Sequence, residues 1–440
     1  MIHQGDLFDV LPTFDAESID ACVTDPPYGI GFMGREWDTF KPGTSQHRKL
    51  MHPRERIASK NPNIDGRHRS PALSPSQIDY DYSTAGLRGF QQWTERWATE
   101  VLRVLKPGAY IVVCGAPRSH HRMMCGLEDA GFVVRDCFAW LFGSGFPKNL
   151  NLGDGRGTAL KPAHEPIALA WKPFKGTITG NVAKHGTGAL NIDACRLNFT
   201  GPEDAAAAAA AAARRHRGDQ NENRRALGDF NGRASETVAS YEAGIEAGLG
   251  RWPANVLLDE EAAAILDEQT GELTSGANPT RRGSDKFRDT YSEFKGQEEC
   301  EAVRGLDVGG ASRFYYVAKP SREERDYGCA GLTAKTGGEA TDRKDGSAGV
   351  NNPRAGAGRT GGSRNFHPTV KPVELMRWLV KLVTPPGGTV LDPFTGSGTT
   401  GMACRYESRE FIGIEREAEY IQIAERRIAA VAPLFASEAM

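Results

Sequence analysis

No stretch of about 18 apolar residues occurs in the sequence, so no membrane-spanning helix is expected. The eight cysteines form no CxxC pair and none sits at His/Cys metal-ligand spacing. That argues against a metal site or a disulfide framework and for reduced thiols in a cytosolic protein. Met1-Ile2-His3-Gln4-Gly5-Asp6 lacks the basic region and apolar run of a secretory signal. Surplus charge is missing too: the formal net charge is −2. Composition alone therefore announces no polyanionic partner, although local Lys and Arg clusters suffice for phosphate contacts. Hydrophobic residues make up 39% of the chain, a low share that implies substantial loop.

What is present is unevenly distributed. The 440 residues suit two modest domains, or one domain with a large insertion. The polar surplus falls between Lys175 and Asn365, which is rich in Gly, Ala, Asn, Asp and Arg, while both flanks carry ordinary core patterning. Ser18–Thr24 reads as a buried strand. Phe90–Lys106 has helical spacing of Trp93, Trp97, Val101, Leu102 and Leu105 and is expected to stop at Pro107-Gly108. Ala109–Cys114 follows as a parallel strand, then a helix from Arg122 to Ala130 and a strand from Gly131. Near the end come an amphipathic helix from Pro372 to Val383, the strand Thr389–Leu391, the strand Glu410–Glu415 and a helix from Tyr420 to Val431. Alternating strands and helices predict a doubly wound α/β sheet. The long polar stretch Lys41–Ser83 fits a lid or binding loop. The alanine run Ala205–Ala213 fits a helix and a low-complexity spacer equally, and Gly337–Gly362 reads as a glycine-rich linker.

One βαβ unit carries a ligand signature. Asp392-Pro393-Phe394-Thr395-Gly396-Ser397-Gly398-Thr399-Thr400 joins a strand to a helix, and Glu415 ends the next strand about 20 residues on. The glycines let the backbone pass close to a ligand, and an acid at that distance accepts hydrogen bonds from ribose hydroxyls. No Lys follows the glycines and the pattern is not GxGxxG, which excludes the usual phosphate cradles. A nucleoside without phosphates fits, S-adenosylmethionine foremost, with Asp392 facing its cationic end.

Asp25-Pro26-Pro27-Tyr28 ends the first predicted strand. Read alone, it is equally well a β-turn, since Asp and Pro both favour turns. The residue types also suit an exocyclic nucleobase amine, whose lone pair is delocalised into the ring. Asp25 and the Pro26 carbonyl can accept its two N–H bonds, Pro27 fixes φ and removes a donor, and Tyr28 offers a face for stacking an extruded base.

Together these motifs resemble the amino-methylating DNA methyltransferases, which make N6-methyladenine or N4-methylcytosine. His367-Pro368-Thr369-Val370-Lys371-Pro372 adds to the likeness, as does Gly5-Asp6. The resemblance covers about the first 170 and last 80 residues, and its catalytic-before-cofactor order is similar to the family's β group. It implies a circularly permuted Rossmann-like, S-adenosylmethionine-dependent methyltransferase sheet with helices on both faces and an inserted target-recognition region. It places Thr369 and Lys371 beside the methionine end of the cofactor, with His367 in the same motif, and Asp6 at its adenine. Asp25 faces both base and cofactor. The product would be S-adenosylhomocysteine, no metal is needed, the partner is double-stranded DNA, and a homodimer is the expected assembly. The setting implied is the cytoplasm of a bacterial, archaeal or phage-infected cell, in a restriction-modification role.

The expected layout is a catalytic half over 1–174, a target-recognition insertion over 175–304, a return strand and linker over 305–365, and a cofactor half over 366–440. Basic clusters at Arg214, Arg215, His216 and Arg217 and at Arg224 and Arg225 are candidate phosphate contacts, and Arg281, Arg282, Lys286 and Arg288 are the preferred ones. Asp25 favours adenine, since Ser at that position is usual for cytosine in the family. N4-cytosine methylation is the nearest alternative. A protein glutamine methyltransferase, which usually has Asn before Pro-Pro-Tyr, and an inactive DNA-binding homologue are remoter ones.

Overall fold

The computed structural model describes residues 1–30, 38–40, 83–145, 152, 155–199, 201, 204–205, 208, 248–275, 280–282, 297–299, 307–318, 323–336, 339 and 362–431. They fall into two compact units: Met1–Trp140 with His164–Asn191 and Ala318–Met440, and Leu141–Ala163 with Ile192–Val317. Residues 175–191, which composition groups with the polar middle section, lie in the first unit. The loop at 41–82, most of the alanine run and of the 337–362 linker, and the clusters at 214–217 and 224–225 lie outside the described residues. No helix among the described residues is long and apolar enough to cross a membrane.

The first unit is built on a sheet. Its strands are β1 (Ile2–Gln4), β2 (Ile19–Thr24), β3 (Leu105–Cys114), β4 (Val133–Leu141), β5 (His164–Trp171), β6 (Thr389–Asp392) and β7 (Glu410–Glu415). In space they run β1-β7-β6-β2-β3-β5-β4. The pairs from β1 to β3 are parallel, and β5 returns antiparallel to β3. Two strands from the end of the chain thus sit between β1 and β2, as the order of the sequence motifs requires of a permuted Rossmann-like sheet. All residues of β2 are buried, which explains its run of apolar residues without alternation.

Helices α1 (Leu7–Val10), α2 (Thr84–Val104), α3 (His120–Asp129), α4 (Ile178–His185), α5 (Val373–Val383), α6 (Thr399–Tyr406) and α7 (Ala418–Ala430) complete this unit. Ser83 caps α2 by accepting the Gly86 N–H at 3.0 Å. The buried stripe Phe90, Trp93, Trp97, Val101 and Val104 recurs at three- and four-residue spacing. It packs with Leu391 and Ile414 of β6 and β7, so the amino-terminal helix and the carboxy-terminal strands share one core.

The helix ends earlier than its apolar spacing predicts. Leu105 is already extended (φ −69°, ψ 142°) and opens β3. Pro107 and Gly108 act as a bulge inside the strand instead of a stop: the register to β2 shifts between Leu105 and Tyr110. Gly108 takes φ +79° there. Asn181 of α4, which the sequence reading left unassigned, satisfies the bulge by donating to Pro107 O at 2.8 Å and Thr187 O at 2.7 Å.

The second unit has a strand over Val256–Asp259, a helix over Glu260–Thr270 and two small antiparallel pairs, Leu273–Ser275 with Asp307–Gly309 and Thr280–Arg282 with Gln297–Glu299. Asp259 caps the helix, accepting Ala262 N–H at 2.7 Å and Gly143 N–H at 3.1 Å. Within 305–365, expected to hold a return strand, Ala311–Phe314 form a 3-10 turn and a strand runs over Tyr316–Ala318. Asp267 holds that turn, accepting from the Ser312 N–H at 2.8 Å and hydroxyl at 2.6 Å.

Trp97 is wholly buried, with Trp93 and Phe394 rings 6.1 and 5.4 Å away. Trp97→Ala is expected to cost about 3–5 kcal/mol of stability. Chemical denaturation checks this, and a loss below about 1 kcal/mol would contradict the packing described.

Candidate active site

β2 and β6 are neighbours with Leu391 opposite Cys22, so both strands end at one edge of the sheet. Asp25 follows the first, and Asp392 ends the second. Thr24 ties them: its hydroxyl donates to Asp392 Oδ1 at 2.6 Å in a buried contact. The Phe394 N–H donates to the same oxygen at 3.1 Å. Burial raises the Asp392 carboxyl to about 6, against the pull of hydrogen bonds from Thr24, Thr400 and the Phe394 backbone.

The loop after β6 closes on itself. The Thr395 N–H donates to Ile414 O at 3.1 Å, and the Gly398 N–H to Thr395 O at 2.9 Å. Gly398 has φ +79°, and a Cβ there would lie 2.8 Å from Ala424 Cα, so no larger residue fits. Glu415 accepts the N–H groups of Gly396, Arg416 and Glu417, each at 2.9 Å. Burial nonetheless pushes its carboxyl up. From below, wholly buried Arg427 donates to Ser397 O at 2.7 Å and to the Ser397 and Thr399 hydroxyls at 3.1 Å. Phe394 packs against Trp93 and Trp97 with centroids 5.4 Å apart in both cases.

The His367–Lys371 segment faces this loop. Burial depresses the His367 imidazole to about 4, so the ring is neutral. Its Nδ1 meets the Thr369 carbonyl, which can only accept; the proton is therefore on Nδ1 and Nε2 is an acceptor. Arg325 holds the same segment, donating to Asn365 O at 3.0 Å and His367 O at 2.6 Å. Lys371 reaches to the end of β2. Its Nζ donates to Asp25 Oδ2 and to the Tyr28 hydroxyl, each at 2.8 Å, and lies 3.3 Å from Glu165 Oε2. Burial disfavours the ammonium, but Asp25 and then Glu165 outweigh it and hold its pKa above the usual lysine range. The Tyr28 hydroxyl donates to Asp25 Oδ1 at 2.8 Å and lies 3.3 Å from Glu165 Oε2. Burial and then these carboxylates push the phenol well up. Gly29 allows the turn after Tyr28: it has φ +69°, with the Phe90 ring where a Cβ would lie.

These side chains line one cleft of about 310 Å³, its open mouth included. Asp25 contributes from β2, His367, Thr369 and Lys371 from the upstream motif, and Asp392, Phe394, Gly396, Ser397, Thr399 and Thr400 from the loop. Tyr28 joins through its bonds to Asp25 and Lys371, and Glu415 through Gly396. Asp6 stands two residues past Gln4, the register partner of Glu415, where it caps α1 by accepting the Phe8 N–H at 3.2 Å. Arg281 and Arg282 are in a strand of the second unit, and Lys286 and Arg288 lie outside the described residues. Sequence reading missed Thr24, Glu165, Arg427 and Met376, which also lines the cleft. Thr24 adjoins the motif and was within reach, whereas nothing near Glu165 or Arg427 marks their distant partners.

The fold and cleft define an α/β domain in which two neighbouring parallel strands bring the half-buried Asp25 and the buried Asp392 to one cleft. The family model for N6/N4-type DNA methylases matches residues 19–426, and the chain belongs to that family. Among curated relatives, type II methyltransferase M.HindIII of Haemophilus influenzae is 26% identical over 212 residues, 43% of this chain and 64% of that protein. Type II methyltransferase M2.DpnII of Streptococcus pneumoniae is 47% identical over 64 residues, 14% of this chain and 24% of that protein. The chain thus matches less than two thirds of the length of either relative. Solved structures similar to it include M1.HpyAVI, at 15% identity over 97% of this chain and 98% of that one, TM-score 0.38. The cytosine-N4-specific PvuII DNA methyltransferase is similar at 14% identity, over 97% and 85%, TM-score 0.44. Likeness at these scores adds nothing to the assignment.

Thr24→Val removes one of the bonds that favour ionised Asp392, so the carboxyl is expected to titrate above about 6. Carbon-detected NMR of labelled aspartate reads this directly, and an unchanged midpoint would mean that Thr24 does not tune Asp392.

Proposed function

We propose that this chain transfers a methyl group from S-adenosylmethionine to the N6 amine of an adenine extruded from double-stranded DNA. The observation that carries the proposal is a single cleft lined by Asp25 from one motif and by Asp392 and its glycine-containing loop from the other. The donor set suits the cofactor: buried Asp392 for its cationic end, Glu415 on the next strand for the ribose, and a neutral His367 that adds no repelling charge. Bound there, S-adenosylmethionine supplies an electrophilic methyl group on a sulfonium.

The protein's part in the chemistry is to make a poor nucleophile better and to aim it. Asp25 accepts one N–H of the target amine, and the Pro26 carbonyl accepts the other. That draws the nitrogen toward a tetrahedral geometry with its lone pair free. Tyr28 stacks on the base, which compensates for the stacking lost on extrusion. Phe394, packed against both Trp93 and Trp97, fixes the loop so that positioning is set before substrate arrives. The second unit serves as the target-recognition region, with Arg281 and Arg282 among its phosphate or base contacts. Adenine is preferred to cytosine on the identity of Asp25.

Asp25→Ala is expected to lower transfer of labelled methyl to DNA by at least about a hundredfold while cofactor affinity stays within about threefold. Near wild-type turnover would remove Asp25 from the reaction. A cation favours ionised Asp392, so protons compete with the cofactor once pH falls through about 6. Calorimetric affinity for S-adenosylmethionine should therefore weaken by up to about tenfold per pH unit below that point, and Asp392→Asn should be weaker and flat. A flat profile for the unaltered protein between about pH 8 and about pH 5 would remove Asp392 from the cation site.

A further inference from the structure

Asp25 has both carboxylate oxygens engaged: Oδ1 accepts from Tyr28 and Oδ2 from Lys371. A target amine therefore competes for Asp25 with an ammonium, whose charge-assisted bond is about twice as strong as a neutral one. Lys371 is itself 9% exposed, too enclosed to leave for water at little cost. It does have a second anion in reach. Glu165, the second residue of β5, stands 3.3 Å from Lys371 Nζ, with its side chain 25% exposed. Tyr28 lies between the two carboxylates, 2.8 Å from Asp25 and 3.3 Å from Glu165, and its ring centroid is 5.3 Å from Nζ. The Cys114 thiol also bears on Lys371, and burial keeps it protonated.

From this arrangement, and resting on the reaction proposed above, we infer that Lys371 gates Asp25 and that Glu165 receives the gate. When the target amine presents its N–H, the Lys371 ammonium shifts from Asp25 Oδ2 to Glu165 Oε2, and Asp25 Oδ2 is released to the amine. No proton changes hands in this step. One charge-assisted bond is exchanged for another, and the buried ammonium is never left unpaired. Glu165 is thus a positioning residue that acts through Lys371, and it touches neither reacting atom. Only an N–H donor gains from the exchange, so the gate favours an amine-bearing base over one with a carbonyl in that place.

Single-turnover methyl transfer to DNA tests this. Glu165→Gln leaves Lys371 with Asp25 as its one anion, and the rate is expected to fall at least about tenfold with cofactor affinity within about twofold. Glu165→Asp keeps the charge at shorter reach and should recover part of the loss. In a Lys371→Met background the gate is gone, and Glu165→Gln should add no further loss. Three results would each overturn the inference: a wild-type rate for Glu165→Gln, an equal loss in both backgrounds, or a loss of cofactor binding by Glu165→Gln, which would make it a scaffold residue. An unaltered protein that transfers no methyl at all would instead defeat the underlying reading, so the two failures are distinguishable.

Discussion

Everything in the cleft depends on the lateral pairing of Thr389–Asp392 with Ile19–Thr24. The two strands belong to opposite ends of the chain, yet they lie side by side and in parallel, so their carboxyl ends open at the same edge. Brought there, Asp25 and Asp392 line one cleft, and Thr24 bonds across the seam. Ligands in open α/β sheets bind outside the carboxyl ends of the strands, where neighbouring loops diverge. The permuted order changes which residues are close in sequence and leaves that edge intact.

The cleft carries buried charge, and the protein manages each group differently. Asp392 is held by hydrogen bonds and stays close to titration near neutrality. Glu415 is pinned by three backbone N–H groups and so orders the loop that it faces. Asp25 has its own cation in Lys371. Arg427 carries its charge beneath the loop, on the Ser397 and Glu324 carbonyls and two hydroxyls. Such groups are costly to bury and give directional hold in return, which is what a site that aims one atom at another requires.

Much of this was legible because it is local. Strand ends at Thr24 and Glu415, the loop glycines and the stripe on Thr84–Val104 are written in short windows, where spacing and turn chemistry decide conformation. Leu105 shows the limit. It continues the helical spacing of Trp97 and Val101, yet pairing with Ile19 takes it into the sheet. Pro107-Gly108 reads as a stop because a bulge held by Asn181 of a later helix leaves no trace nearby. His164–Trp171 went unassigned: Pro162 before it and Pro173 and Gly176 after it do bound the run, but Pro166 inside it argues against a central strand. With that strand went Glu165, whose meaning exists only once Lys371 is beside it.

The most direct test of the central claim is nucleoside mass spectrometry of DNA from cells that express the protein, set against cells that express Asp25→Ala. The account predicts N6-methyladenine above background with the unaltered protein and background alone with the variant. N4-methylcytosine in its place would overturn the choice of base, and no modified nucleoside in DNA from cells containing the folded protein would contradict the account as a whole.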